Sequence, residues 1–256
     1  MFKKLTGVFI ACFFASAIGA NGNLVMDNHE SINQQLRSAA IKGNLREVRR
    51  CIAAHADINT TTVAGFTTAE RALFKGKLPN GWTPLHHAAA FGHPEVIAEL
   101  RDAGANVSAQ NAEGETPAHM VCFLGGDSAI FCLRELSFYA EANIINVPDF
   151  DGLVPLHLAA CEGNYKAAEY FINSGVPVNI KDKEGMTPLH WAAICNQYYL
   201  VELLLERGAD KSIKTVMHKT PFDMAKKLEI RTLLELEEVD EMDVVGFAVW
   251  GGLADD

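Results

Sequence analysis

The sequence lacks the local motifs by which catalytic and phosphate-binding sites are usually recognised. It contains no nucleophile elbow, no zinc-protease motif and no phosphate loop, because Gly125-Gly126-Asp127 is not followed by the required Lys and Ser or Thr. The carboxylates are scattered and form no convincing acid–base pair. We therefore expect no enzyme activity, no catalytic residue and no cofactor.

Basic residues are also scarce. The 22 Lys and Arg are outnumbered by 32 Asp and Glu, which gives a net charge of −10. Nucleic-acid binding needs clustered cations against the phosphates, and an anionic membrane surface repels an acidic protein. The composition argues against both partners and leaves another protein as the expected one.

Cysteines are few and follow no pairing pattern. Cys12 lies in the N-terminal apolar stretch, and the five others are odd in number, with no C-x-x-C spacing. Cys122 and Cys161 stand at small, inward-type helix positions, where a buried thiol behaves as a small hydrophobe. We expect the cysteines to fill the core, with a Cys122–Cys132 disulfide as an open alternative. The five are Cys51, Cys122, Cys132, Cys161 and Cys195.

The N-terminal apolar run, residues 5–18, is too short to span a bilayer comfortably. Lys3 and Lys4 precede it, and the small residues of 17–20 follow it, which predicts a signal peptide over residues 1–20. An uncleaved anchor or a buried helix is the alternative. The short signal is typical of bacteria. We expect an exported protein, periplasmic or secreted, with no stable membrane insertion after cleavage.

What the chain does contain is one four-residue phrase, Thr-Pro-Leu-His or a variant of it, in five copies. The copies stand at intervals of 33, 38, 33 and 33 residues. Thr followed by Pro starts a helix, because Thr supplies the capping oxygen and Pro needs no hydrogen bond at the first helical position. A glycine then ends this helix, and a second, more apolar helix follows. A fixed period of this length indicates stacked helix pairs. The copies begin at Thr83, Thr116, Val154, Thr187 and Thr220.

The phrase reads Thr-Pro-Leu-His at 83–86 and 187–190. Glycines stand two residues before four of the phrases, and paired alanines follow three of them. With these features the chain resembles the ankyrin repeat family. The resemblance covers residues 33–238. It implies an all-α ankyrin repeat solenoid of helix-turn-helix units with β-turn or hairpin loops. It also implies a protein-binding role, and we expect a monomer.

The units are predicted from this spacing. An N-terminal cap unit covers 33–64, full repeats cover 81–113, 114–151, 152–184 and 185–217, and a C-terminal cap covers 218–238. Residues 65–80 are either a truncated unit or an insertion. The 38-residue interval predicts a longer second helix around 128–139. Residues 239–256 form an acidic and then apolar tail, which either folds back on the last repeat or acts as a docking or delivery signal.

Four histidines at equivalent positions, the last residue of the first four phrases, first suggest a metal site. Equivalent atoms of stacked helices lie about 8 to 10 Å apart, too far for zinc ligands at about 2 Å. The family resemblance implies instead that these histidines bond backbone groups and link adjacent units. They are His86, His119, His157 and His190.

The resemblance also implies that the turn tips and first helices form a concave binding face. Residues before the helix start and after the histidine are the candidate contacts: Trp82, His87, Glu115, Leu153, Met186 and Trp191. Met120 and Leu158 stand at the same positions, with packing between repeats as the alternative.

We expect this groove to have an apolar floor and an acidic rim formed by Glu113, Asp149, Asp151, Asp182 and Glu184. Such a groove favours a partner with a basic or mixed-charge surface. Two narrower hypotheses stay open: a secreted effector of an intracellular bacterium that binds a host protein, and a periplasmic accessory protein that supports an enzyme.

Overall fold

The computed structural model describes residues 32–61, 80–138 and 144–235, which contain α-helices, one short 3-10 helix and no β-strand. The predicted all-α ankyrin fold is therefore confirmed. The predictions for residues 1–20, for most of 65–80 and for 239–256 lie outside the described residues.

Twelve α-helices in the described ranges form six pairs. They are α1 Ile32–Lys42 and α2 Leu45–Ala53; α3 Pro84–Ala90 and α4 Pro94–Asp102; α5 Pro117–Val121 and α6 Asp127–Ser137; α7 Pro155–Glu162 and α8 Tyr165–Asn173; α9 Pro188–Ile194 and α10 Tyr198–Glu206; α11 Pro221–Met224 and α12 Leu228–Glu235. The 3-10 helix is Ile144–Asn146. We number the pairs as units 1 to 6.

The start and end of each first helix follow from local chemistry. In unit 2, the Thr83 side chain accepts a hydrogen bond from the His86 amide, and Pro84 occupies the first helical position. The helix stops after Ala90, where Gly92 takes a positive φ of 72°. Because these signals lie within ten residues of each other, the sequence predicts this part of the fold well.

The helices stack in two rows. The first helices of successive units pack against one another from α1 to α11, and the second helices pack from α2 to α12. Large apolar side chains such as Ile97, Leu156 and Phe171 are fully buried between the rows. A single pair could not bury these surfaces, so each unit depends on its neighbours. Within the described ranges, no helix is both long and apolar enough to cross a membrane.

The long interval between the second and third phrases coincides with a longer second helix. Helix α6 has 11 residues, whereas α4, α8 and α10 have nine each. The predicted helix around 128–139 is observed at Asp127–Ser137, and residue 139 lies outside the described residues.

Units 1 and 2 are direct neighbours, although the chain between them is long. Helix α1 packs on α3, and α2 packs on α4. The amide of Asn106 donates to Oδ1 of Asn59, just as the amide of Asp210 donates to Oδ1 of Asn179. The first pair is 47 residues apart and the second 31, a difference of 16. Direct packing leaves no room for a helical layer between the two units.

Candidate interaction surface

The turns between units project as four fingers, residues 110–116, 148–154, 181–187 and 214–220. In two of the fingers, an aspartate near the base accepts hydrogen bonds from backbone amides of the same finger. Asp149 Oδ1 accepts the amides of Asp151 and Leu153 at 2.8 Å, and Asp182 does the same for Glu184 and Met186 at 2.9 Å. These bonds fix a tight turn whose tip faces solvent.

Histidines join the first helices of units 2 to 5 to the next finger or to the residue just before it. The Thr83 amide donates to His86 Nδ1 at 3.2 Å, and His86 Nε2 lies 3.0 Å from the Glu115 carbonyl of the next unit. Because Nδ1 accepts, Nε2 carries the proton and donates. Burial lowers the pKa of His86 to about 4. The predicted linking role is confirmed by this bond and by those from His119, His157 and His190 to Leu153, Ile180 and Lys219.

Backbone hydrogen bonds also connect neighbouring fingertips. The Phe150 amide donates to the Glu113 carbonyl at 3.1 Å, and the Val216 amide donates to the Glu184 carbonyl at 2.9 Å. Equivalent bonds run from Ala112 to Asn80 and from Lys183 to Asp151. The fingers therefore form one continuous ladder, which holds their tips in fixed relative positions.

Three of the six predicted contact residues are partly exposed. The indole N–H of Trp191 donates to Asp182 Oδ2 at 3.0 Å, which fixes the ring beside its finger. The Trp82 ring lies tilted against the His87 ring, with 5.1 Å between ring centroids. Glu115 accepts a hydrogen bond from the Asn111 side chain at 2.8 Å. Both tryptophans pack against the core and are partly exposed.

The exposure expected for His87, Leu153 and Met186 is wrong. His87 is buried beneath Trp82, and burial lowers its pKa well below the usual range. Leu153 and Met186 are buried because the backbone around each is tied to its own finger and, for Leu153, to a histidine of the preceding unit. Met120 and Leu158 are also buried and pack between repeats.

The most exposed apolar side chains of this surface stand at the fingertips, which the sequence reasoning missed. Phe150 is 59% exposed, and Val216 and Met217 are each 71% exposed. A signal was present: the Asp-Phe-Asp-Gly sequence of 149–152 places a large apolar residue at the tip of a tight turn. Solvated turn tips are normally polar, so these residues join the candidate contacts of this surface.

Charge is distributed unevenly along the fingers, which corrects the uniform acidic rim that was expected. Asp149 and Asp182 are buried and fold their own fingers. Fingers 110–116 and 148–154 carry acidic residues and no Lys or Arg. The last two fingers carry exposed lysines at 181, 183, 214 and 219. The surface is acidic at one end and basic at the other.

Two cysteines are joined, contrary to the expectation that all fill the core. Cys161 at the end of α7 and Cys195 just after α9 form a disulfide between units 4 and 5, with Cα atoms 5.3 Å apart. Cys51, Cys122 and Cys132 are buried and free, so the alternative pairing of Cys122 with Cys132 is wrong. Burial raises the pKa of the Cys132 thiol to about 12, which makes it unreactive.

The side chains that could bind a metal ion are the next feature of the described part of the chain. There, no group of three or more His, Cys, Asp or Glu side chains could hold a metal ion. The four linking histidines direct their ring nitrogens to the backbone, which leaves them no lone pair for a ligand.

Family models identify the repeats directly. A model of three ankyrin repeats matches residues 126–215, and a single-repeat model matches residues 80–112. The chain is an ankyrin repeat protein. Such repeats are protein–protein interaction modules, and the family is generally non-enzymatic.

Curated proteins with similar repeats are much longer. "SH3 and multiple ankyrin repeat domains protein 2" of Homo sapiens is 34% identical over 104 residues, 41% of this chain and 5% of the relative. "Rabankyrin-5" of Mus musculus is 43% identical over 91 residues, 35% of this chain and 7% of the relative. "Inversin" of Homo sapiens is 31% identical over 170 residues, 59% of this chain and 16% of the relative. The similarity therefore concerns the repeats alone.

Proposed function

We propose that this ankyrin repeat protein is an exported, non-enzymatic module that binds a protein partner along its fingers and the adjoining concave face. The observation that carries the proposal is the exposure of three apolar fingertip residues, Phe150, Val216 and Met217, at 59%, 71% and 71%. Exposed apolar side chains on a soluble surface favour contact with a partner.

The fingers suit binding because they are already ordered. Each tip is held by its own turn, by the ladder from the preceding finger and by a histidine below it. A surface that is rigid before contact loses little entropy on association. Trp82 and Trp191 add partly exposed aromatic area beside the fingers, and tryptophan is a frequent anchor at interface centres.

The charge gradient favours a partner of mixed charge. An acidic patch on the partner matches the lysines at 181, 183, 214 and 219, and a basic patch matches Glu113, Glu115 and Asp151. Such complementarity fixes the direction in which a partner lies along the row of fingers and increases the association rate at low salt.

Two features support export. The pattern of residues 1–20 is that of a signal peptide, and disulfides such as Cys161–Cys195 persist in oxidising compartments. The disulfide favours a periplasmic accessory protein over an effector that works in a reducing host cytosol. The mass of the mature protein in periplasmic and cytoplasmic fractions tests this, and an uncleaved cytoplasmic product overturns it.

The binding surface is tested with paired variants of the tagged full-length chain. Phe150→Ala, Val216→Ala and Met217→Ala together remove the fingertips, and Trp82→Ala with Trp191→Ala removes the aromatic anchors. A matched control replaces Phe131 and Tyr199, which are exposed on the outer helices α6 and α10. Proteins co-purified from the periplasm are quantified by mass spectrometry.

We expect a defined set of proteins to be lost with the fingertip variant and kept with the outer-helix control. Loss with the control alone places the binding surface on the second helices. Full retention by the fingertip and tryptophan variants overturns the proposal.

A further inference from the structure

Finger 214–220 ends the ladder within the described residues. In each preceding finger, a tip carbonyl accepts an amide from the next finger, as the Glu184 carbonyl accepts from Val216 at 2.9 Å. Met217 stands in the equivalent position of the last finger, and no further finger follows it among residues 221–235. Among the described residues, no amide continues the ladder at Met217, so its edge is open there, and such an edge can pair with another backbone segment.

The side chains at this edge are apolar at the centre and basic around it. Val216 and Met217 are each 71% exposed, and Lys214 and Lys219 flank them in the turn. Lys226 and Lys227 lie in the short link between α11 and α12 and are also exposed.

The opposing carboxylates at this edge are Glu184, in the neighbouring finger, and Asp223. Asp223 accepts both the amide and the hydroxyl of Thr220, at 2.9 and 3.0 Å. Those bonds and the nearby lysines lower its pKa. The lowered pKa keeps Asp223 ionised, but the four exposed lysines named above outnumber these two carboxylates, so the edge is basic overall.

The segment that follows α12 has the complementary composition. Helix α12 ends at Glu235, and the next 21 residues carry an acidic block followed by an apolar stretch with Phe247 and Trp250. The acidic residues are Glu237, Glu238, Asp240, Glu241 and Asp243. Extended, 21 residues reach roughly 70 Å, so length does not limit contact with the finger.

We infer that segment 236–256 docks on the open edge of finger 214–220. Its carboxylates face Lys214 and Lys219, its apolar stretch covers Val216 and Met217, and its backbone continues the ladder at the Met217 carbonyl. Covalent linkage to α12 gives the segment a millimolar effective concentration at this edge, which favours it over a free partner. This rests on the proposed function, because the docked segment occupies one end of the proposed binding surface and regulates access to it.

Zero-length carbodiimide crosslinking of the full mature chain tests the contact, because it joins only lysines and carboxylates that touch. At low salt, we expect links within one chain from residues 237–243 to Lys214 or Lys219. Lys226 and Lys227 do not count, since they lie close to the segment in sequence. Val216→Asp with Met217→Asp keeps both lysines and should reduce these links severalfold, whereas Phe131→Asp on α6 should not.

Three results overturn the docking: links only to distant lysines such as Lys42 and Lys166, links only between two chains, or unchanged links in the Val216→Asp and Met217→Asp variant. The co-purification assay described above distinguishes failure of the docking from failure of the proposed function. If docking is right, deleting residues 236–256 increases partner capture. If docking alone is wrong, capture still depends on the fingertips but is unchanged by the deletion.

Discussion

Gly114 shows how closely adjacent fingers approach at the level of one atom. Its φ is +82°, and a Cβ added there would lie 2.6 Å from both the backbone nitrogen and the ring of Phe150. Gly104 has a similar φ of +94° but open space around the same position. Replacing Gly104 with alanine therefore tests the effect of backbone conformation on stability alone, whereas replacing Gly114 tests that effect together with a steric clash.

Replacing each with alanine should destabilise the protein to different degrees. Gly104→Ala should cost about 1 kcal/mol, because only the left-handed conformation is penalised. Gly114→Ala should cost about 2 kcal/mol more, because the finger containing Phe150 must shift. Urea unfolding followed by circular dichroism measures both. An equal loss of unfolding free energy in the two variants would show that the finger containing Phe150 moves away at little cost.

The linking histidines make stability depend on pH. Burial lowers the pKa of His86 to about 4 and also lowers those of His157 and His190. Protonation would place a new N–H on Nδ1 against the amide that donates to it. The neutral folded form is therefore fully stabilised above about pH 6.5, and stability falls as the pH drops towards 4.

The free energy of unfolding should fall by about 3 kcal/mol for His86 alone between pH 6.5 and 4. Urea titrations at half-unit steps between pH 7.5 and 5 give the proton uptake on unfolding before most carboxylates titrate. Stability that stays constant down to pH 5 would contradict the buried neutral state of these rings.

At the scale of elements, the disulfide joins the ends of α7 and α9. It closes a loop of 34 residues across two units, so its removal restores considerable freedom to the unfolded chain. Cys161→Ser with Cys195→Ser should lower the free energy of unfolding by about 3 kcal/mol. The double variant should be insensitive to dithiothreitol, and the parent should lose a similar amount when reduced. A parent unaffected by reductant would mean that the two sulfurs are not bonded.

The helices were predictable from sequence, whereas the exposure of individual side chains was not. A Thr-Pro start acts within one unit, so α3 and α9 begin where the local signals place them, and Gly92 and Asn196 take a positive φ just after the two helices end. His87 and Trp191 occupy equivalent positions, yet one is buried and the other partly exposed. The difference arises because Trp82 covers His87, whereas Asp182 holds Trp191 at the edge. Such contacts depend on neighbours that a repeat pattern does not specify.

Across the whole molecule, the contacts between units 1 and 2 predict a result for a deletion. Removing residues 63–78 gives Asn59 and Asn106 the spacing of 31 found for Asn179 and Asp210. The free energy of unfolding should change by less than about 0.5 kcal/mol, because the cost of closing a loop varies slowly with its length. Thermal and urea unfolding followed by circular dichroism measure this.

The control removes residues 61–80, which leaves the chain four residues short of that spacing and should detach unit 1. If the shorter deletion also causes a large loss of helix, the neighbouring units depend on the segment between them.

The direct packing of α1 on α3 and α2 on α4 also affects how the chain folds. All other neighbouring units meet through short stretches of chain, and proteins rich in such local contacts fold quickly. Unit 1 must close a loop of 47 residues, compared with the 31 between Asn179 and Asp210, which adds about 0.4 kcal/mol of chain entropy to its docking. We therefore expect folding to begin among units 2 to 6, with unit 1 the last to join and the first whose backbone amides exchange with solvent.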